Sequence, residues 1–541
     1  MPEPRVIVVG GGLAGLVVTR EMRLAEVPVL LLESSDRLGG KASSHRNGSD
    51  PQYWEDHGYH IFPAWYVNTR RLLQELGCER SLIEFDRVHF RKRGHDGYCT
   101  LYAPCLRNAW HNLTSGLVPW WVAVLGCYAA LDVASTTFHP NSFLDRVSFN
   151  GFLRKRFYIT DEVALAHQGF VLQASAIPTY TISAMTASNV LSSYLRKPNP
   201  MQSILVTNLQ AGFIDPLVRS LQGGSAEIRL NSEICRLEVK GEPGQKRVAG
   251  LELAGGTRVE VGEEDLVVLA TPQEVTFQFV DYEIVEAEED RPERQYPVTE
   301  KRLADYANFE SAPMAAMHVY FRRRLPGLPR EHVMLYQSRY EVSFIDLSQS
   351  WPDYPDRTVL SVISSNFEPL RHLKPKDAGR ELLRELRAYL DFELSDVDHG
   401  LTSVQPHVGE PLFLNTVGSW TYRPNSKTRL ANLYVAGDYC RSKADLTTME
   451  SAIESALVTA ADILPSLGKP VRVHRRAIPR YPKKWLRLWL ALGFVPVVVL
   501  RLGVALLHGW RKLVHKLPRG VGAPSGVPAP ARVSSRRGSS P

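Results

Sequence analysis

The chain has 541 residues, 44% hydrophobic, 22% charged and 9% aromatic, a composition that supplies large cores and excludes a disordered scaffold, a coiled coil and a small disulfide-stapled module. The net charge of +7 conceals an asymmetry: residues 469–541 hold 16 Lys and Arg and no acid, leaving 48 basic against 57 acidic side chains before them. A nucleic-acid binder carries its positive charge on the folded domain, whereas here the charge sits beside an apolar segment, which points to an anionic membrane surface and to no nucleic acid.

Val6–Val9 reads as a short strand, too short for the apolar core of a secretory signal. Gly10-Gly11-Gly12-Leu13-Ala14-Gly15 follows and fits G-x-G-x-x-G, ahead of a helix pattern from Leu13 to about Ala25. A second apolar run, Val27 to Leu32, ends in Glu33. Gly10 permits the tight turn, Gly12 lets backbone approach a pyrophosphate, and Gly15 lets helix and strand pack closely. The helix N-terminus at Leu13 and Ala14 offers unpaired N–H groups to the anion. Glu33 can accept from a ribose 2′-OH, which argues against NADP. The pattern predicts a dinucleotide site.

Glu33-Ser34-Ser-Asp-Arg37-Leu-Gly39-Gly40-Lys41 reads E-x-x-x-R-x-G-G-[RK]. With this stretch the chain resembles the superfamily of FAD-dependent amine oxidases and phytoene desaturases. The resemblance implies FAD as cofactor. Ser34 then belongs to its site, Arg37 and Lys41 face the pyrophosphate, and Gly39 and Gly40 let backbone pass close by.

Asp56-His57-Gly58-Tyr59-His60-Ile61-Phe62 is similar to the D-x-G-x-H-x-F stretch of the carotenoid (isoprenoid) desaturase branch, which implies that Gly58, Tyr59 and His60 run under the flavin. His57 and His60 form H-x-x-H, but no set of ligand spacing accompanies them, so no metal is expected. The six cysteines form no Cys-x-x-Cys pair and fit reduced thiols in a cytoplasmic protein. Tyr66 to Leu76 reads as an amphipathic helix stopped by Gly77. Leu117 to Leu131 carries no charge over 15 residues. It is too short to span a bilayer comfortably, and both a core helix and an apolar entrance touching lipid fit it.

From Pro200 the resemblance returns. Gly212 to Leu221 reads as a helix, and Ser232 to Glu238 as a strand. In the family the equivalent strand touches the adenine, which implies that role for Ile234. Asp265 to Thr271 is similar to a strand returning to the FAD sheet, with Thr271 at its end. Residues 281–300 are acidic without an apolar period and read as a surface loop. Residues 301 to about 412 mix strands (Met314 to Phe321, Thr358 to Ile363) with a helix (Asp377 to Asp391). Near the C-terminus, Asn432 to Asp438 is a strand ending in Gly437-Asp438, followed by a helix to about Leu464. The resemblance implies that Asp438 binds the ribityl chain. It also implies that the helix N-terminus at Thr448, Met449 and Glu450 points at the flavin and stabilises negative charge there. Gly418 to Pro424 is similar to stretches that line the ring, which makes Tyr422 a catalytic candidate beside His60.

The expected fold is α/β: a Rossmann-like FAD-binding domain (1–90, 201–280, 416–468) interleaved with a mixed α+β substrate domain (91–200, 281–415). A basic, apolar membrane anchor follows over 469–518, and a disordered tail over 519–541. In the anchor the longest uncharged run, Leu488 to Leu500, has 13 residues and contains Pro496. An interfacial or re-entrant helix is favoured over a span or a dimer helix, which places the protein on the cytoplasmic face of a membrane, peripheral or monotopic. The resemblance implies an FAD-dependent oxidoreductase of long apolar isoprenoids, acting by desaturation or by related isomerisation or dehydroxylation. Quinone or oxygen is the expected electron acceptor. Amine or amino-acid oxidation is the alternative chemistry, and a prenyl-binding escort without redox activity is the alternative outside enzymes.

Overall fold

A computed structural model describes residues 3–136, 143–290, 300–406 and 411–516. Five parallel strands form one sheet in the order Leu433–Val435, Leu266–Leu269, Val6–Val9, Val29–Leu32, Ala226–Arg229. Val6–Val9, Val29–Leu32 and Leu266–Leu269 are buried at every position. Both faces are covered, which is why these strands read as continuous apolar runs. Val6, Val8, Val29 and Leu31 pack with the helices Leu13–Leu24 and Met449–Ile463. Ile7, Val9, Leu30 and Leu32 pack with an antiparallel sheet of Ile234–Lys240, Arg247–Leu253 and Arg258–Glu260. Because the strands are parallel, Gly10, Glu33, Ala270 and Ala436 all emerge at the same carboxyl edge, where open α/β sheets bind ligands.

A second sheet has seven strands, in the order Ser403–Pro406, Ala315–Tyr320, Val359–Ser364, Val342–Asp346, Val333–Tyr336, Arg87–Lys92, Cys99–Tyr102. Its pairings are antiparallel except between Val333–Tyr336 and Arg87–Lys92. One face packs against the helix Pro375–Arg387 through Ala378, Leu382, Leu383 and Leu386. The other carries Ala316, His318, Tyr320, Ser343, Ser361 and Ile363, and turns toward the segment Gly58-Tyr59-His60. The helices Trp120–Ser135, Phe149–Arg154, Asp161–Ser175 and Ala184–Arg196 pack on one another. Trp120–Ser135 buries Val122, Leu125, Ala129 and Val133 and leaves Trp120 at its start 61% exposed.

One sequence expectation is corrected. Residues 281–300 are not all loop: Tyr282–Glu289 is a helix, capped by Asp281, which accepts from Ile284 N at 2.9 Å. Only Ile284 and Ala287 anchor its apolar side, and two buried apolar residues among glutamates leave no readable period. Residues 291–299 lie outside the described residues, as does the expected tail 519–541. At the C-terminus, Lys483–Lys516 is one helix that runs through Pro496. Its stretch Lys483–Trp510 is long and apolar enough, by length and composition, to cross a membrane. The missing proline N–H removes one hydrogen bond without ending the helix. Residues 483–493 belong to the main body: Tyr128 Oη donates to the Leu490 carbonyl at 3.1 Å, and Lys483 Nζ donates to the Thr136 carbonyl. The described residues from Phe494 on form a separate unit, in which Val495, Val499, Leu502 and Leu506 are exposed. All six cysteines are free thiols.

Candidate active site

At the carboxyl edge of the parallel sheet, two glycine turns lie against each other. Gly10 has φ +103°, and a Cβ there would sit 2.7 Å from the Ala270 carbonyl oxygen. A Cβ on Gly15 would fall 1.9 Å from the Gly10 carbonyl oxygen. The second turn docks through Gly39 N, which donates to the Gly11 carbonyl at 2.8 Å. Gly40, at φ +54°, faces Gly12 Cα. Gly12 differs from the others: no atom lies within 4 Å of the position its Cβ would take. The helix Leu13–Leu24 has no side-chain cap, so the first-turn N–H groups of Leu13, Ala14 and Gly15 have no partner within the helix.

Glu33 is held by this cradle. Its Oε2 accepts from Gly11 N at 2.6 Å, and its Oε1 accepts from Ser35 N at 2.9 Å and from the Ser34 hydroxyl at 3.2 Å. Arg37 is exposed. Lys41 reaches across the fold and donates to the Pro411 carbonyl at 2.8 Å. Ile234 opens its strand and is buried. Thr271 pairs its hydroxyl with that of Thr276 at 2.7 Å.

The neighbouring strand end supplies Gly437, whose N–H donates to Ser455 Oγ at 3.1 Å. This ties the strand end to the helix Met449–Ile463. Among the described residues, none donates to the Asp438 carboxylate. Thr448 caps the helix by accepting from Ser451 N at 3.2 Å, and Met449 is buried. Glu450 is corrected: it does not belong beside Thr448 and Met449 as a flavin-facing group. Its Oε1 accepts from Asn68 N and Nδ2, both at 2.9 Å, and its Oε2 accepts from Thr69 N at 2.8 Å and Thr69 Oγ1 at 2.7 Å. Four donors from the first turn of Val67–Glu75 saturate it, so it caps that helix from outside. Burial still pushes its pKa up against those bonds.

The seven-stranded sheet closes over the Gly58 segment. Gly58 has φ +124°, and its Cβ position lies 3.3 Å from Ile363 Cδ1 and 3.7 Å from Ala316 Cβ. Tyr59 Oη lies 2.6 Å from Ser343 Oγ and 2.7 Å from His332 Nε2. Burial pushes the Tyr59 phenol up and His332 down to about 3. Burial also holds His60 down to about 4, partly offset by the Gly58 carbonyl, so its imidazole is neutral at physiological pH. Just before it, Asp56 accepts from Ser44 Oγ at 2.6 Å and Leu209 N at 3.1 Å, and burial raises it to about 6. Tyr422 ends the short helix Ser419–Tyr422 and is 38% exposed.

Two buried clusters escaped the sequence reading. Arg423, following Tyr422, is 1% exposed and donates to Asp445 Oδ1 at 2.7 Å, to the Tyr439 carbonyl at 2.9 Å and to the Cys440 carbonyl at 2.6 Å. Asp445 also accepts from Asn189 Nδ2 at 2.7 Å. Glu55 collects Asn47 Nδ2 at 2.7 Å, Gln405 Nε2 at 2.9 Å and Tyr320 Oη at 3.1 Å, with His45 Nε2 at 3.4 Å. Burial works to raise its pKa, but His45, His318 and Asn47 together hold it below the usual carboxylate value. Among the described residues, fully buried His318 has neither nitrogen in a hydrogen bond, and the hydroxyl of Ser361, its cross-strand partner, is in none either. No local pattern signals these contacts. Among the described residues, no group of three His, Cys, Asp or Glu is placed to hold a metal.

The sequence profile of the flavin-containing amine oxidoreductase family matches residues 13–464. The chain is 23% identical over 492 residues to 15-cis-phytoene desaturase of Solanum lycopersicum, covering 85% of this chain and 77% of that protein. It is 23% identical over 486 residues to 15-cis-phytoene desaturase of Synechococcus elongatus, covering 85% and 96%. Among solved structures, cyclohexylamine oxidase from Brevibacterium oxydans is similar with a TM-score of 0.62 and 16% identity, covering 86% of this chain and 100% of that one. A likeness at that identity speaks for the fold alone.

Proposed function

This chain belongs to the flavin-containing amine oxidoreductase family and is an FAD-dependent oxidoreductase; we propose that its substrate is a long apolar isoprenoid drawn from a membrane, and that its reaction is desaturation or a related flavin-dependent isomerisation or dehydroxylation. Similarity along most of the chain to enzymes named phytoene desaturase carries this reading.

The cradle fits FAD. The open space at Gly12, the uncapped helix start beside it and the Asp438 carboxylate, without a donor among the described residues, are what a pyrophosphate and a ribityl chain need. In this assignment the backbone of Gly10, Gly12, Leu13, Ala14 and Gly15 holds the pyrophosphate, with Arg37, Gly39, Gly40 and Lys41 across from it. Glu33 and Ser34 hold the ribose, while Ile234 and Thr271 flank the adenine end. Gly437 and Asp438 hold the ribityl chain, and Thr448 and Met449 present a helix N-terminus to the ring. Gly58, Tyr59 and His60 form the wall facing it. Bound FAD supplies the two-electron transfer. His60, kept neutral by burial, is the candidate to take a proton at its imidazole, and Tyr422 is the aromatic candidate across the ring.

Membrane contact completes the proposal. The helix Lys483–Lys516 carries Trp485 and Trp489 near its start, with Lys483 and Lys484 ahead of them. Those residue types sit at membrane interfaces. On the body, Leu106, Trp110 and Trp120 are exposed, and a substrate dissolved in lipid needs such an approach. The assigned location is the cytoplasmic face of a membrane, with quinone or oxygen as electron acceptor.

The test is anaerobic absorbance of the flavin-loaded protein in liposomes while linear polyprenes are added. Bleaching of the oxidised-flavin band with formation of a more unsaturated product supports desaturation. A band that stays through all polyprenes but bleaches with amines transfers the protein to amine oxidation. Isomerised product from pre-reduced enzyme selects the isomerase variant.

A further inference from the structure

A cavity of about 520 Å³ opens between the helix Val67–Glu75 and the irregular segment after the last flavin-sheet helix; Arg71, Gln74, Glu75, His474, Arg475 and Arg476 line it. Arg71 is 7% exposed. Its Nε lies 3.2 Å from Glu75 Oε1, but its Nη1 is buried without a hydrogen-bond partner among the described residues. A buried guanidinium nitrogen without an acceptor is unfavourable until one arrives. Glu75 does not neutralise the cavity, because its other oxygen pairs with Arg20 Nη2 at 3.0 Å, and Arg20 Nη1 pairs with Glu21 at 3.0 Å. Three carboxylates, Glu21, Glu75 and Glu454 (which feels the Arg475 charge), therefore stand against four guanidiniums, and Arg475 and Arg476 at the mouth form no ion pair among the described residues.

The wall is held in place. Arg476 N donates to Asn68 Oδ1 at 2.7 Å, and Asn68 Nδ2 donates back to the Arg476 carbonyl at 3.0 Å. Asn68 is in turn fixed by Glu450. Seven residues beyond Arg476 the apolar helix Lys483–Lys516 begins. Seven residues reach at most about 25 Å, so the cavity lies within that distance of the start of the segment assigned to the membrane.

From this juxtaposition the geometry points to a phosphate-binding site in the Arg71–Arg475–Arg476 cavity, whose ligand is the headgroup phosphate of an anionic lipid. Planar guanidinium forks match phosphate oxygens in a way that a lysine ammonium does not. The site rests on the membrane reading above.

The test uses the full-length, FAD-loaded protein and variants that keep the charge: Arg71→Lys and the double change Arg475→Lys with Arg476→Lys. Partition is measured onto vesicles of phosphatidylcholine alone and with one-third phosphatidylglycerol. In parallel, phosphorus NMR line broadening is followed for dihexanoyl-phosphatidylglycerol below its micelle concentration and for inorganic phosphate. The expected result is about a fivefold loss of partition onto the anionic vesicles in each variant, the scale of about one net hydrogen bond lost when a guanidinium fork becomes an ammonium of the same charge. Partition onto phosphatidylcholine and the flavin band stay unchanged, and the short-chain lipid is broadened by wild type but not by the variants. Variants that partition like wild type would mean a diffuse basic field and overturn the site, while leaving the membrane reading intact. Equal binding of inorganic phosphate and the short-chain lipid overturns the lipid assignment. If wild type partitions onto neither vesicle, the membrane reading fails, and the soluble lipid decides the cavity alone: broadening in wild type only supports it, and no broadening ends it. Should Arg71→Lys not fold, the exposed pair Arg475 and Arg476 carries the test.

Discussion

The glycine cradle and the side-chain-built clusters around Arg423 and Glu55 solve the same problem with different atoms. In the cradle, Gly10, Gly12, Gly15, Gly39 and Gly40 work by lacking a side chain, so backbone passes where a Cβ would collide or fill space. In those clusters, buried side chains do the positioning. Arg423 ties the short aromatic helix to the loop before Thr448, and Glu55 gathers donors from two strands, through Tyr320 and Gln405, and from Asn47. The difference teaches that a site made of backbone is written in a few adjacent glycines, whereas a site made of side chains exists only after distant strands have found their register.

If that contrast is right, the largest penalty belongs to the side-chain clusters. Arg423→Met strands Asp445, which is 0% exposed, and should cost about 3–5 kcal/mol in denaturant unfolding, as breaking a buried pair does. A loss under about 1 kcal/mol would remove the pair from that role. Next come two alanines in the cradle. Gly15→Ala meets the Gly10 carbonyl oxygen at 1.9 Å and should cost about 3 kcal/mol along with the flavin. Gly12→Ala meets nothing within 4 Å; it should unfold within about 1 kcal/mol of wild type yet release flavin on gel filtration. Equal flavin retention in Gly12→Ala and wild type would refute the cradle assignment.

A smaller effect is expected from pH. Asp56, held up to about 6 by burial, keeps its proton to higher pH when folded than when unfolded. Its contribution is therefore full below about pH 4 and is lost as pH rises through 6. Asp56→Asn should flatten the stability profile between pH 5 and 7 by about 1–2 kcal/mol, and an unchanged slope would show the carboxyl to be ordinary. The smallest effect is assigned to Tyr422→Phe. The side chain is 38% exposed, so stability should stay within about 0.5 kcal/mol while turnover of polyprene falls. Unchanged turnover would strike Tyr422 from the catalytic candidates.

The parallel sheet and its edge were legible in the chain. Val6–Val9, the glycines after it, the helix Leu13–Leu24 and Glu33 follow one another within about thirty residues, and turn, helix and strand are local events. The strands Ala315–Tyr320 and Val359–Ser364 were also visible, within a residue or two at each end, because β-branched and apolar runs mark them. The helix Tyr282–Glu289 was not, since two buried apolar residues carry too little signal. Nor was the destination of Glu450. From its sequence neighbours it belongs with Thr448 and Met449, but helical geometry turns successive side chains by about 100°, and this rotation aims it at Asn68 and Thr69.

Sequence alone therefore specifies where an anion can approach the backbone, because absent side chains, an uncapped helix start and a strand end are properties of contiguous residues. It also specifies the basic, apolar character of the C-terminal segment. Folding decides the rest: that Glu33 is anchored on Gly11, that Arg423 and Asp445 share a buried pair, that His318 and Ser361 pair across strands without hydrogen-bond partners among the described residues, and that Arg71 opens onto Arg475 and Arg476. Each of those contacts joins residues from separate elements, and its distance depends on sheet register and helix packing, quantities that no single segment of the chain contains.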